Sequence, residues 1–285
     1  MDNLRGSMLM VLAMAGFALE DMFIKRLAAA MPVGQIIALV GFGGAVIFAA
    51  ICAAQGRRLW SRDLLARPVI LRNLGEMAGT LCFVSAIALT PLSQASAIIQ
   101  AMPLAVTLGA ALFLGAPVGW RRWTAILAGF AGVLMVVRPG LAGFAPASLF
   151  AVAAVIALAT RDLATRAVPP TISSMQLSAY AFATLVPTGA VLLAVSGGPV
   201  AVDAGGARDL ALALLCAVAA YYAIVAAMRV GEVAVVTPFR YTRLVFALII
   251  GVAVFGERPD PWTLIGAAVI VASGVYTILR EARAA

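Results

Sequence analysis

The chain has 285 residues, of which 64% are apolar and 11% charged, and a mean hydropathy of +1.07, well outside the roughly 45–50% apolar content of a soluble domain. The formal charge of +8 does not point to nucleic acid, because the arginines sit in short clusters between apolar runs, where membrane topology accounts for them. The lack of histidine removes the commonest general base and metal ligand, and Cys52, Cys82 and Cys216 stand singly in apolar runs with no metal spacing or pairing, so no metal or cofactor is expected.

Apolar runs of about 18 residues or more read as helices that cross roughly 30 Å of hydrocarbon. A β-barrel would instead alternate over strands of about ten residues. Ten spans are predicted, at 6–24, 34–54, 69–89, 93–114, 123–138, 147–166, 173–195, 208–228, 233–255 and 262–280. Breaks fall at Met31-Pro32, the Arg57–Arg67 loop, Thr90-Pro91, Ala116-Pro117, Arg138-Pro139-Gly140, Pro169-Pro170, Gly197-Gly198-Pro199 and Arg258-Pro259-Asp260-Pro261. Arg5 ahead of an apolar run and Ala13-Met14-Ala15 mimic a signal peptide, but cleavage there would destroy the internal symmetry described below. The short loops leave a site no place but the bundle or its mouths.

Ionisable groups inside a membrane are functional candidates because each must be compensated. In span one, Glu20 and Asp21 precede Lys25. An Asp21–Lys25 ion pair at i+4 is expected, with Glu20 facing a cavity. In span three, Glu76, Thr80 and Phe83 share one face at i, i+4 and i+7, as a cavity wall or with Glu76 paired to Arg72 at i−4. Glu20 and Glu76 are the acids that could couple transport to an ion. In span four, Ser96 and Gln100 lie one turn apart beside Pro103, whose missing N–H frees backbone carbonyls; a polar solute site or helix–helix contact would both suit them. Arg161-Asp162 reads as a solvated end of span six. Tyr221, Tyr222 and Tyr241 could line a cavity or sit in an interfacial belt. Arg240 lies at the depth of Glu76, within reach of an ion pair, with snorkelling to the headgroups as its alternative; Arg243 is one turn deeper.

Sliding the chain against itself by 142 residues matches Ala105–Arg138 to Ala247–Arg280 with ten identities in 34 positions, including Pro117/Pro259 and Trp120/Trp262. Each half, 1–142 and 143–285, then holds five spans, and an odd number starts the second half on the opposite side. The expected fold is an all-α membrane protein of ten transmembrane helices in two inverted five-helix repeats. With both termini cytoplasmic, the inner side receives thirteen Lys and Arg (Arg5, Arg57, Arg58, Arg62, Arg67, Arg72, Arg121, Arg122, Arg161, Arg166, Arg229, Arg280, Arg283) and the outer side five (Lys25, Arg26, Arg138, Arg208, Arg258), which favours that orientation in a bacterial inner membrane.

Met102-Pro103 in span four, Gly109–Gly115 and Gly251–Glu257 ahead of Trp120 and Trp262, and the stretch Thr237–Arg243 resemble the drug/metabolite transporter superfamily, EamA type, over the whole chain. The overall pattern is similar to its bacterial aromatic amino acid exporters. Two departures stand out: Gly115 occupies the first-half equivalent of Glu257, and Val245 the second-half equivalent of Pro103. The resemblance implies secondary or facilitated export of small metabolites, amino acids foremost, by alternating access through a cavity between the halves. Another metabolite or drug-like solute is the alternative. A primary pump lacks its phosphate-binding G-x-x-x-x-G-K-[ST] loop here. A membrane-embedded enzyme would need clustered bases, nucleophiles or metal ligands, and a non-transporting receptor would not need the repeat. The expected partners are a small-molecule substrate and the lipid bilayer.

Overall fold

The computed structural model describes residues 2–59, 62–115, 119–141, 144–169, 171–230 and 233–282. The Ala116-Pro117 turn, Pro170, the 142/143 boundary and Arg283 lie outside these residues. Among those described there are twelve α-helices and no strand: α1 (Asp2–Ala28), α2 (Val33–Ala54), α3 (Arg67–Leu89), α4 (Leu92–Ile99), α5 (Met102–Phe113), α6 (Trp120–Val137), α7 (Ser148–Thr165), α8 (Ser174–Val195), α9 (Ala204–Val230), α10 (Val233–Val236), α11 (Thr242–Phe255) and α12 (Pro261–Ala282). They fill ten spans long and apolar enough to cross a membrane. Each predicted span has its helix. Large apolar side chains such as Leu12, Phe42, Leu127, Ile156 and Leu215 lie on the outside of the bundle, as lipid-facing surface requires.

Spans four and nine are broken. In span four the helix stops at Gln100, turns, and restarts at Met102-Pro103, with Pro103 in the first turn, where a missing N–H costs nothing. In span nine a 3-10 stretch, Thr237–Tyr241, contains Pro238 and leads into α11. The 142-residue offset carries 100–101 to 242–243, directly after the 3-10 stretch, so the two breaks adjoin, without coinciding, when the halves are aligned.

The packing shows the same symmetry. The principal helix pairs are α1 with α9, α2 with α8, α3 with α7 and α6 with α12. Exchanging the halves turns the first pair (spans one and eight) into the third (spans six and three), and maps the other two onto themselves. The protein is therefore two inverted five-helix repeats, with both termini at one end. Glycine sets the closeness of one crossing: a Cβ on Gly189 of α8 would sit 2.5 Å from the Gly34 carbonyl oxygen of α2. The main apolar core, including Ile36, Ile37, Ile87, Leu92 and Ile98, fills the half of the bundle away from the termini.

Candidate functional site

A cavity of about 430 Å³ lies between the repeats, walled by residues of spans one to four and six to ten. It reaches Thr165 at the terminus-bearing end of α7, and Ile24, Ile36 and Ile37 of the apolar core close it at the other end. Both helix breaks face it, through Gln100, Met102 and Pro103 on one side and Thr237, Arg240 and Tyr241 on the other. The Gln100 amide donates to the Arg240 carbonyl oxygen at 3.3 Å and so ties one break to the other. Irregular backbone at this depth is tolerated where it lines a cavity, and corresponding broken helices are where inverted-repeat carriers hold their cargo.

Eight charged side chains line the cavity: Glu20, Asp21, Arg72, Glu76, Arg161, Asp162, Arg240 and Arg243. Six of them compensate one another. Asp21, 2% exposed, accepts from Arg243 Nη2 at 2.7 and 2.9 Å and from Nε at 3.1 Å. The same guanidinium stands 5.4 Å from the ring centres of both Phe17 and Phe83, close enough for cation–π attraction to both. Glu76 meets Arg161 at 3.3 Å and Arg72 at 3.7 Å, and Arg161 also holds Asp162 at 2.7 Å. Glu20 and Arg240 are left: neither has an oppositely charged side chain within 4.0 Å among the described residues. Asp21 follows Glu20 directly and Arg243 lies one turn from Arg240, and the two unpaired charges line the same cavity.

Of the residues expected to form a site, Glu20, Glu76, Thr80, Phe83, Gln100, Tyr221, Arg240 and Tyr241 line this cavity. Ser96 does not. It is 1% exposed and its hydroxyl has no hydrogen-bond partner, because every residue of α4 is buried and the cavity reaches only Ile99 and Gln100 at its end. Tyr222 is 74% exposed on the outside of the bundle, since neighbouring helix positions are about 100° apart and cannot face one wall. The expected Glu76–Arg240 pair is replaced by Glu76–Arg161, because α3 packs along α7. The expected Asp21–Lys25 pair is also absent: Lys25 extends to the helix end and donates to Thr90 O at 2.6 Å and Ile87 O at 3.2 Å. Arg161 and Asp162 are part of the cavity wall, not a solvated end. Phe182 was not foreseen either. It stacks on Phe48, whose ring also meets Tyr221 edge-on at 5.0 Å, while Ser178 Oγ donates to Tyr221 Oη at 2.6 Å. Tyr221 is thereby held at the wall as a fixed ring. Helical periodicity along α8 carries no signal for this, since apolar residues surround Phe182 on both sides in sequence.

A model of the EamA-like transporter family matches the chain twice, over residues 4–138 and 145–280. The chain is 30% identical over 215 residues to a protein of Rhizobium johnstonii named riboflavin transporter, covering 75% of this chain and 70% of that one. It is 27% identical over 221 residues to a protein of Rickettsia bellii named S-adenosylmethionine uptake transporter, covering 75% and 73%. A solved structure superposes with a TM-score of 0.64 over 97% of both chains at 21% identity, a likeness of fold.

Proposed function

Since the chain belongs to the EamA-like transporter family and is a multi-pass membrane carrier of small metabolites, we propose that its cargo is a zwitterion, an α-amino acid joined to an aromatic ring. Arg240 takes the carboxylate, Glu20 the ammonium, and Phe83, Tyr221 and Tyr241 the ring. The observation that carries this is the pair of opposite charges left uncompensated in a cavity where the other six charges pair among themselves. Guanidinium presents two parallel donors to a carboxylate, and aromatic faces suit a flat ring.

Aromatic amino acids have this pattern. So does S-adenosylmethionine, named for the Rickettsia relative, in which an amino acid end is joined to a heteroaromatic base. The cavity volume of about 430 Å³ lies within the range for small-molecule sites. Riboflavin is the second reading, supported by the name of the relative at 30% identity; it would use the aromatic walls and leave the two charges without a role. Thermal unfolding of the purified protein separates them, because a ligand that binds only the folded state stabilises it by about 2.7 kcal/mol at 100 times its Kd. Tryptophan or S-adenosylmethionine should raise the midpoint and riboflavin should not; the reverse result would replace the zwitterion with a neutral ring system.

Transport runs by alternating access, and Glu20 is the acid suited to ion coupling, since Glu76 is held by two guanidinium groups. A carboxylate that can hold either a proton or the cargo's ammonium exchanges one for the other. Both termini face the cytoplasm on the strength of the thirteen-to-five distribution of Lys and Arg. In a cysteine-free background, Asp203→Cys should react with an impermeant maleimide in intact cells and Arg57→Cys only after permeabilisation. The opposite pattern would invert the topology.

A further inference from the structure

We propose that Glu257 is a one-sided latch that holds the cavity shut at the end away from the termini and biases the empty carrier toward the form open at the terminus-bearing end. Gly256, with a φ of 63°, ends α11 in the left-handed conformation that glycine adopts without steric cost, and the Glu257 N–H donates back to Gly251 O at 2.9 Å. The turn aims the carboxylate at the start of α4. There it accepts from Leu92 N–H at 2.5 Å, Ser93 N–H at 3.0 Å and Ser93 Oγ at 2.6 Å. The α4 N-cap is Pro91, which supplies no side-chain cap, so Glu257 satisfies the orphan donors of a helix start from another span. Lys25 Nζ stands 3.7 Å from the same carboxylate while donating to Thr90 O and Ile87 O at the end of α3. One acid thus joins the closed ends of spans one, three, four and nine.

The inverted repeat gives this contact its consequence. The 142-residue offset that aligns the halves places Gly115 opposite Glu257, and Ala234 and Val235 opposite Leu92 and Ser93. When the halves exchange roles and the terminus-bearing end closes, the position that would hold the latching carboxylate has no side chain. The two closed forms are therefore unequal in energy, although the folds of the halves are alike. Among the described residues two other ion pairs between spans stand at this end, Arg138–Asp260 at 2.7 Å and Arg26–Asp209 at 3.0 Å; they join α6 to α12 and α1 to α9, pairs that already pack against each other along their length, and so do not take part in the latch.

The proposal rests on the alternating-access reading, and its test keeps the two apart. In a background with Cys52, Cys82 and Cys216 replaced by alanine, Leu27→Cys puts a thiol at a buried position of the closed end that does not line the cavity. Its reaction with a soluble maleimide in lipid nanodiscs reports opening there. Glu257→Gln and Lys25→Met should each accelerate the reaction about fivefold or more, the equivalent of about 1 kcal/mol in the opening equilibrium. Ser93→Ala, which removes one hydrogen bond and keeps the fold, should accelerate it less, and Arg138→Gln should leave it unchanged. Unchanged reactivity in Glu257→Gln and Ser93→Ala proteins that still carry cargo in proteoliposomes would overturn the latch, as would equal acceleration by Arg138→Gln. Should Glu257→Gln not fold, Ser93→Ala decides by the same measurement. Absence of flux in the unaltered protein would instead defeat the carrier reading, whatever the thiol reports.

Discussion

Arg240→Ala is expected to reduce transport of an α-amino-acid cargo by about a hundredfold, the scale seen when one partner of a desolvated charge pair is truncated, while membrane insertion and fold remain intact. Among the described residues no acid pairs with this guanidinium within 4.0 Å, and Asp162 is held by Arg161 at 2.7 Å, so its removal leaves none of them without a partner. A cation at mid-membrane depth costs roughly 2.5–3.5 kcal/mol on insertion scales, so the alanine variant should insert at least as well. Arg240→Lys keeps the charge but loses the planar pair of donors and should lie between, with a loss of about tenfold. Gln100→Ala should act in the same direction and less strongly, because Gln100 holds the Arg240 carbonyl, not its guanidinium. Initial rates in proteoliposomes provide the measurement. Transport of an amino acid at the unaltered rate by Arg240→Ala would make the residue a membrane anchor and remove it from the site.

The second large effect concerns stability. Asp21→Ala should cost about 3–5 kcal/mol, the penalty for leaving one member of a buried ion pair without its partner, and should appear as poor yield and a lowered unfolding midpoint. Arg243→Ala should do the same, since it strands a carboxylate that is 2% exposed. The double variant Asp21→Asn with Arg243→Gln leaves no charge behind and should recover most of the loss. A double variant as unstable as the sum of the singles would show that the two residues do not act as a unit.

Much of the architecture follows from sequence alone because lipid allows few solutions. Every run of about 20 apolar residues must be a helix, the odd number of spans per half requires inversion, and the proline beside Gln100 marks a break at the cavity. Depth was legible too: Arg240 and Glu76 both line one cavity. Partnership was legible within a helix, where Glu76 meets Arg72 at i−4 as expected, and not between helices: whether Arg161 or Arg240 also reaches Glu76 depends on which helix lies alongside α3, and that helix is α7, with Arg161 85 residues away. The Asp21–Arg243 pair escaped for the same reason, although two costly intramembrane charges of opposite sign were each in need of a partner. Tyr222 and Ser96 were misplaced by proximity in sequence to Tyr221 and Gln100, which on a helix places residues at different angles or, at a helix break, at different distances from the cavity.

The Asp21–Arg243 bond also bears on how the chain is made. The acid belongs to the first span and the guanidinium to the ninth, 222 residues later, so at about 5–20 residues per second the ribosome delivers the partner roughly 10–45 s after the acid has entered the insertion machinery. Over that interval the first span carries a group that costs about 2.5–3.5 kcal/mol at the centre of a helix in the bilayer. Its early residence near the translocon, held by proteinaceous or watery surroundings until α9 and then α11 arrive, becomes part of the biosynthetic route, and a nascent chain cut short before residue 243 should keep its first helix loosely inserted and open to quality-control proteolysis.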